Sequence, residues 1–187
     1  WVAGNHDPEC WLNTSPMADS HLFDLEKDPP LPLGNYKIRG LHYRAGTSFR
    51  ELLPNLWPDC DVLVCHQRFG EAFTWGQPHA TLDNIPEHVR LVLAGDIHQK
   101  FQAADSRGRQ LVYPGCPYLR RTDDSDDHGF WVVDSNLGVT WQPLQTRTVL
   151  RVLIEKREDI GELLTIVGQH RQADLGRFGD CDLARPI

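Results

Sequence analysis

The chain has 187 residues, of which 40% are hydrophobic and 24% charged, and its formal net charge is −7 at pH 7. This length accommodates one domain, or one domain and part of a second, with a substantial core. The acidic balance argues against a protein that coats nucleic acid by bulk attraction, since phosphate neutralisation needs clustered Lys and Arg side chains. It does not exclude a nuclease, because bound metal ions supply local positive charge in an acidic setting.

The apolar residues and the cysteines narrow the class of protein further. No apolar run reaches the roughly 20 residues of a transmembrane helix, so we expect no association with a membrane. The five cysteines are odd in number and lack a Cys-x-x-Cys spacing, which disfavours a disulfide framework and a zinc knuckle. Reduced thiols are typical of a cytoplasmic protein, which is the location we expect.

The first third of the chain predicts two strands and a helix, separated by a long loop. Residues 1–3 are expected to end a strand, and the Pro-rich stretch 8–35 predicts a loop. Alternation of apolar and charged residues predicts a strand over 36–43. Ser48 and Glu51 match a capping box, which predicts a helix that begins there.

The middle of the chain predicts buried strands followed by hairpins. Residues 61–65 and 91–94 are short and mostly apolar, as expected of strands buried on both faces of a parallel sheet. Two hairpins follow, the first formed by 101–104 with 110–113 and the second by 129–134 with 139–143.

The polar stretch 145–148 predicts a domain boundary. We expect residues 1–146 to form one domain and residues 147–187 to begin a smaller one. Within the second, the residue pattern predicts a strand over 148–154 and a helix over 158–169.

Three segments place metal-type ligands directly after predicted strands. The chain opens with Gly4-Asn5-His6-Asp7, the strand 61–65 is followed by His66, and the strand 91–94 is followed by Asp96 and His98. Functional residues of a mostly parallel sheet collect just beyond the carboxyl ends of its strands. We therefore expect these side chains to meet at one edge of the sheet.

The side chains in these segments are imidazole, carboxylate and amide-oxygen donors, without a thiolate. Such a mixture suits manganese, iron or zinc in a hydrolytic site better than a structural zinc. Two such ions about 3.5–4 Å apart activate water and hold a phosphoryl group for in-line attack.

In these segments the chain resembles the calcineurin-like metallophosphoesterases. That family has five ordered blocks: Asp-x-His, Gly-Asp-x-x-Asp, Gly-Asn-His-Asp/Glu, a strand-end His, and Gly-His-x-His. The third block is present at 4–7, the fourth at His66, and a variant of the fifth at 95–98. Within the superfamily the chain is most similar to SbcD-type DNA-repair nucleases, through the segments 64–67, 113–117 and 127–134.

The resemblance implies an α/β fold, a metallophosphoesterase-type β-sandwich flanked by helices, with a small capping domain starting at the carboxyl end. It implies that Asn5, His66 and Asp96 surround one metal ion and that His98 binds a second. The implied cofactors are two divalent ions, most commonly Mn²⁺. His6 would lie over the scissile phosphate, where it stabilises charge or protonates the leaving oxygen, and Asp7 would orient His6.

The chain departs from the family pattern in two places. Asp96 stands where the family usually has histidine, which adds a negative charge to the site and alters metal affinity or metal choice. Neither Asp-x-His nor Gly-Asp-x-x-Asp precedes residue 4. We therefore expect the chain to be the C-terminal part of a phosphoesterase domain whose N-terminal half is missing here.

Basic and aromatic residues near the last block are candidate contacts to DNA. Tyr118, Arg120 and Arg121 follow the turn at 113–117, and Lys100, Arg107 and Arg109 lie nearby in the sequence. Contacts of this kind position a phosphate backbone without reading its sequence. The aromatics Phe73 and Trp75 are candidates too, although packing in the core or a loop is the commoner role.

The function that the resemblance implies is metal-dependent hydrolysis of DNA phosphodiesters, as exonuclease and endonuclease, in DNA repair and recombination. The implied partners are DNA and an SbcC-like ATPase subunit, and a homodimer is left open. Two alternatives remain: a calcineurin-like phosphatase or small-molecule phosphodiesterase, and a degenerate, non-catalytic domain that acts as a binding subunit.

Overall fold

The structure is a computed structural model that describes residues 1–7, 23–118 and 127–146, together with residues 161, 165 and 168. The chain divides into two compact units, 1–147 and 148–187. The predicted strand 148–154 lies outside the described residues, and residues 161, 165 and 168 of the predicted helix 158–169 are helical. The capping domain stays a prediction.

The first unit contains a mixed sheet of six strands in the order β1-β2-β3-β4-β6-β5. The four central strands pair in parallel, and β1 and β5 pair antiparallel at the two edges. The strands are β1 (Leu31–Leu33), β2 (Tyr36–Leu41), β3 (Val62–His66), β4 (Leu91–Gly95), β5 (Phe101–Ala104) and β6 (Gln110–Tyr113). This is an α/β fold, as the sequence predicts.

One face of the sheet is covered by helical segments. Alternate strand residues such as Leu63, Val92 and Leu111 point to this face, where they pack with Phe49 and Leu53 in a fully buried cluster. The covering elements are helix α1 (Gly46–Leu52) and two 3₁₀ helices (Leu53–Asn55 and Leu82–Asn84). Each large apolar side chain buried in this way contributes about 1.5–3 kcal/mol relative to its exposed state.

The opposite face is covered by an antiparallel hairpin of β7 (Gly129–Val133) and β8 (Val139–Pro143). Val62, Leu91 and Val112 point to this side and pack with Trp131 and Leu137. Because successive strand residues face opposite sides, the runs 62–66 and 91–95 supply both clusters. This two-sided burial explains why these strands are almost wholly apolar.

The register of β3 and β4 determines where the site lies. His66 pairs with Gly95, so both strands end at the same level of the sheet. The residues that follow, including Asp96 and His98, therefore emerge beside His66. The predicted convergence of these two strand ends is confirmed.

Three local predictions were wrong. Residues 31–33, inside the predicted loop 8–35, form strand β1, which pairs with β2. Residues 1–3 do not form a strand, because the N–H of Ala3 donates to Nδ1 of His42 instead of to a neighbouring strand. Helix α1 begins at Gly46 with Ala45 as its N-cap and no side-chain cap, so Ser48 lies inside the helix. Within the described ranges, no helix is long and apolar enough to cross a bilayer.

Candidate metal centre

The segment Gly4–Asp7 forms a tight turn beside the carboxyl end of β3. The carboxylate of Asp7 accepts a hydrogen bond of 2.9 Å from the N–H of Gly4, and the N–H of Asp7 donates to the carbonyl of Gly4 at 3.3 Å. Asn5 and His6 occupy the exposed tip of this turn. Tyr43 anchors the turn next to the sheet, because its N–H donates to the carbonyl of Ala3 at 2.9 Å.

The imidazole nitrogen of His66 lies close to two oxygen atoms that come from two other segments of the chain. Its Nε2 lies 3.2 Å from Oδ1 of Asn5 and 3.7 Å from Oδ1 of Asp96. His66 comes from the end of β3, Asp96 follows β4, and Asn5 comes from the opening turn. The sequence prediction that these three residues share one site agrees with their placement.

The 3.2 Å between His66 Nε2 and Asn5 Oδ1 is a spacing that suits two ligands of one metal ion, and the 3.7 Å to Asp96 Oδ1 is slightly longer. Ligands about 2.0–2.2 Å from a divalent ion lie roughly 3.0–3.5 Å apart when they occupy neighbouring coordination positions. Among the described residues, no group of three or more His, Cys, Asp and Glu side chains is close enough to hold a metal ion. The candidate centre therefore depends on the amide oxygen of Asn5 as its third donor.

Burial keeps the His66 imidazole in the form that a metal requires. The loss of hydration lowers its pKa below the ordinary value, and the nearby His6 and His98 lower it further. Asp96 and Asp7 oppose this shift. The result is a neutral imidazole at pH 7, with a lone pair available to a cation.

The backbone around Asp96 is shaped to fit His66. A Cβ on Gly95 would lie 2.7 Å from Nδ1 of His66, so only glycine leaves room for the ring. Asp96 has a φ of 91°, in a region that residues other than glycine rarely adopt. Such strain costs about 1–3 kcal/mol and concentrates at functional sites.

The donors open into a cavity of about 630 Å³. The turn after β6 forms one wall, where the N–H of Cys116 donates to the carbonyl of His98 at 3.1 Å and Gly115 has a φ of 70°. The polar and aromatic side chains that line the cavity are Asn5, His6, His66, Asp96, His98 and Tyr118. His98 and Tyr118 thus lie at the predicted site.

The other predicted substrate contacts have different outcomes. Arg120 and Arg121 lie outside the described residues. Arg109 was wrongly predicted to face substrate: it is 2% exposed, and its Nε donates to Asp105 at 2.6 Å. Arg107 forms an ion pair of 3.1 Å with Glu87, and Lys100 forms one of 2.9 Å with Asp127.

Trp75 is more exposed than core packing allows. Its side chain is 76% exposed, and its ring lies 5.2 Å from that of Phe73 with a tilt of 33°. The Phe73 ring is also 5.0 Å from the guanidinium carbon of Arg68. An aromatic pair thus extends from Arg68 toward solvent.

Sequence reasoning missed a polar network behind Asp96. Arg68 Nε lies 3.5 Å from Oδ2 of Asp96, and Arg68 Nη2 lies 2.7 Å from Nε2 of His79. Nδ1 of His79 lies 2.6 Å from Oε1 of Gln67. The one signal in the sequence is that Arg68 follows His66 by two positions, whereas His79 stands in a long connection with no motif.

Comparison with protein-family models and with curated proteins finds no match to this chain. The resemblance to metallophosphoesterases stays a prediction from the motifs at 4–7, 66 and 95–98.

Proposed function

We propose that this chain provides part of the metal centre of a phosphoesterase, and that the reaction is metal-dependent hydrolysis of DNA phosphodiesters by an SbcD-like nuclease subunit. The observation that carries the proposal is the arrangement around His66, whose Nε2 faces Asn5 Oδ1 at 3.2 Å and Asp96 Oδ1 at 3.7 Å. An α/β sheet with motif residues after parallel strands is the setting in which such sites occur.

Asn5, His66 and Asp96 would hold one divalent ion, and His98 in the same cavity is the candidate ligand of a second. Nitrogen and oxygen donors of this kind suit manganese, iron or zinc, and among these the resemblance to metallophosphoesterases implies Mn²⁺. When bound, such ions supply Lewis acidity and lower the pKa of water. The described residues offer three converging donors for the first ion. For the second ion they offer only His98.

His6 and Asp7 have separate tasks in this proposal. His6 stands at the exposed tip of the opening turn, on the wall of the cavity, where its imidazole would donate a proton to the leaving oxygen. The Asp7 carboxylate is bonded to the N–H of Gly4 at 2.9 Å, so Asp7 orients His6 through the turn that carries it. We propose this backbone route for the positioning role.

Tyr118 is the proposed contact to the DNA backbone. It lines the cavity next to His98 and is 60% exposed, so its hydroxyl is accessible to a phosphate oxygen. Such a contact positions the strand without reading its sequence. An SbcC-like ATPase and a second copy of the chain are the proposed protein partners.

The non-catalytic binding subunit has one observation in its favour. Asp96 forms an ion pair of 3.5 Å with Arg68, which balances its charge without a metal ion. This alternative predicts neither metal binding nor turnover by the complete protein. The phosphatase alternative predicts turnover of small phosphate esters in preference to DNA.

The test measures Mn²⁺ binding by isothermal titration calorimetry and hydrolysis of linear duplex DNA and bis-p-nitrophenyl phosphate by the complete protein. We expect Mn²⁺ binding, DNA hydrolysis and the loss of both in His66→Ala and Asp96→Ala. His88→Ala is the matched control, because His88 bonds the carbonyl of Trp57 at 2.9 Å, away from the cavity. Failure of the wild-type protein to bind Mn²⁺ would overturn the proposal, and Mn²⁺ binding that Asp96→Ala leaves unchanged would remove Asp96 from the ligand set.

A further inference from the structure

Asp96 presents its two carboxylate oxygens to different partners. Oδ1 lies 3.7 Å from Nε2 of His66, on the side of the candidate metal centre. Oδ2 lies 3.5 Å from Nε of Arg68 in an ion-pair contact, while the Nε–H itself donates to Nε2 of His79 at 3.2 Å. The carboxylate therefore bridges the centre and a guanidinium group.

Arg68 is held in place by two side chains besides Asp96, and one of these, His79, is itself held by Gln67. Its Nη2 lies 2.7 Å from Nε2 of His79, and its guanidinium carbon lies 5.0 Å from the centre of the Phe73 ring. His79 is 5% exposed, and its Nδ1 lies 2.6 Å from Oε1 of the fully buried Gln67. With Nδ1 donating to Gln67, Nε2 of His79 is the acceptor for Arg68.

We infer that Arg68 is a positioning residue for Asp96: its guanidinium charge lies beside Oδ2, offsets the extra carboxylate charge, and leaves Oδ1 as the single oxygen directed at the metal. The chain Gln67–His79–Arg68–Asp96 is the support that holds this orientation. The inference rests on the proposed function, because it assigns a role toward the same metal centre. This positioning role requires a carboxylate at position 96, since a histidine side chain has no oxygen that could pair with the guanidinium.

The loss of Arg68 has a predictable consequence. Asp96 lies on a backbone with a φ of 91°, and its carboxylate has ion-pair contacts with His66 and Arg68, of which Arg68 carries a permanent charge. Removal of a group that orients a metal ligand commonly weakens metal affinity by about 10- to 100-fold. We expect a loss of this size in Arg68→Gln.

The experiment measures the Mn²⁺ dissociation constant of the complete protein by electron paramagnetic resonance of free Mn²⁺. The variants are Arg68→Gln, Asp96→His and the double variant. Arg39→Gln is the matched control, because Arg39 bonds Asp59 at 3.0 Å and lies 4.9 Å from the Trp57 ring, which reproduces the Arg68 environment away from the cavity. His79→Gln tests the support without touching Asp96, and thermal melting verifies that each variant folds.

We expect Arg68→Gln to weaken Mn²⁺ binding at least about 10-fold, His79→Gln to weaken it less, and Arg39→Gln to leave it unchanged. In the Asp96→His background, Arg68→Gln is expected to have less than about a two-fold effect, because the carboxylate that it positions is gone. Wild-type affinity in Arg68→Gln, or an equal loss in both backgrounds, would overturn the inference while the proposed function stands. Absence of Mn²⁺ binding by the wild-type protein would overturn both.

Discussion

His66 and Gly95 face each other at the ends of two parallel strands, and the imidazole of His66 occupies the space that a side chain on Gly95 would fill. A Cβ there would lie 2.7 Å from Nδ1 of His66. The pairing of these two residues in the sheet means that neither strand can shift without moving the other. The glycine before Asp96 is therefore part of the metal-centre geometry and not a turn residue alone.

Gly95→Ala should displace the His66 ring from Asn5 and Asp96. The added methyl forces overpacking that costs about 1–3 kcal/mol in stability. We expect Mn²⁺ affinity to fall at least about 10-fold while the sheet remains folded. Circular dichroism and calorimetry measure the two effects separately. Gly161→Ala is the control, since no atom lies within 4 Å of the added Cβ at that helical position, and unchanged Mn²⁺ binding in Gly95→Ala would contradict the argument.

Removal of Arg109 should destabilise the first unit more than removal of Arg107. Arg109 is 2% exposed, donates to the carbonyl of Ile85, and bonds Asp105 at 2.6 Å. Arg109→Ala leaves these acceptors without their donor, at a cost of about 2 kcal/mol. Arg107→Ala removes only a surface pair with Glu87 and should cost less than about 0.5 kcal/mol. Urea unfolding of both variants compares them, and equal losses would count against this assignment.

The sequence predicts the central strands β3 and β4 well because each is a short, continuous apolar run. Residues 62–66 and 91–95 are apolar on both faces, and only a central parallel strand buries both faces. The helix start was misplaced for the opposite reason: Ser48 has the right spacing to Glu51, but the N-cap is Ala45, three residues earlier, and Phe49 is the buried residue of the helix. A weak capping preference yields to tertiary contacts worth more.

The candidate site was predictable in part for a similar reason. His66, Asp96 and His98 follow strands, so the sheet topology alone brings them together. Arg68 and His79 could not be placed in this way, because their pairing depends on how the connection 67–90 folds back over the sheet. Trp75 was expected to pack within a loop or the core, yet it is 76% exposed. An irregular loop has no hydrophobic periodicity, so its sequence does not show whether a tryptophan in it is exposed or buried.

Stability should fall as the pH drops through the range in which His79 titrates. Burial lowers the pKa of His79 below its ordinary value of 6.5, and the Arg68 guanidinium lowers it further. Below about pH 6.5 the unfolded chain therefore takes up a proton that the folded protein does not, which favours unfolding. The free energy of unfolding should decrease by up to about 1.4 kcal/mol per pH unit from this residue.

His79→Gln removes the titrating group and should flatten this part of the stability profile between about pH 7 and pH 5. Urea unfolding at several pH values gives the slope for the wild type and the variant. His88→Gln is the control, because the His88 ring bonds the backbone carbonyl of Trp57 at 2.9 Å and lies outside the Arg68 network. A wild-type slope retained in His79→Gln would show that another group causes the loss.

Trp75 should contact unpaired DNA if the chain acts as a nuclease subunit. Its ring is 76% exposed and lies 5.2 Å from the Phe73 ring, which in turn lies beside Arg68 at the candidate metal centre. Stacking of one base on an aromatic ring contributes about 1–3 kcal/mol, so Trp75→Ala should weaken binding of a single-stranded oligonucleotide about five-fold or more. Because the side chain is exposed, the melting temperature should change little. Fluorescence anisotropy measures the affinity, with Phe130→Ala as the control, since Phe130 is a 46% exposed aromatic on β7. Equal losses in both variants would mean that Trp75 contributes general surface attraction rather than a specific stacking contact.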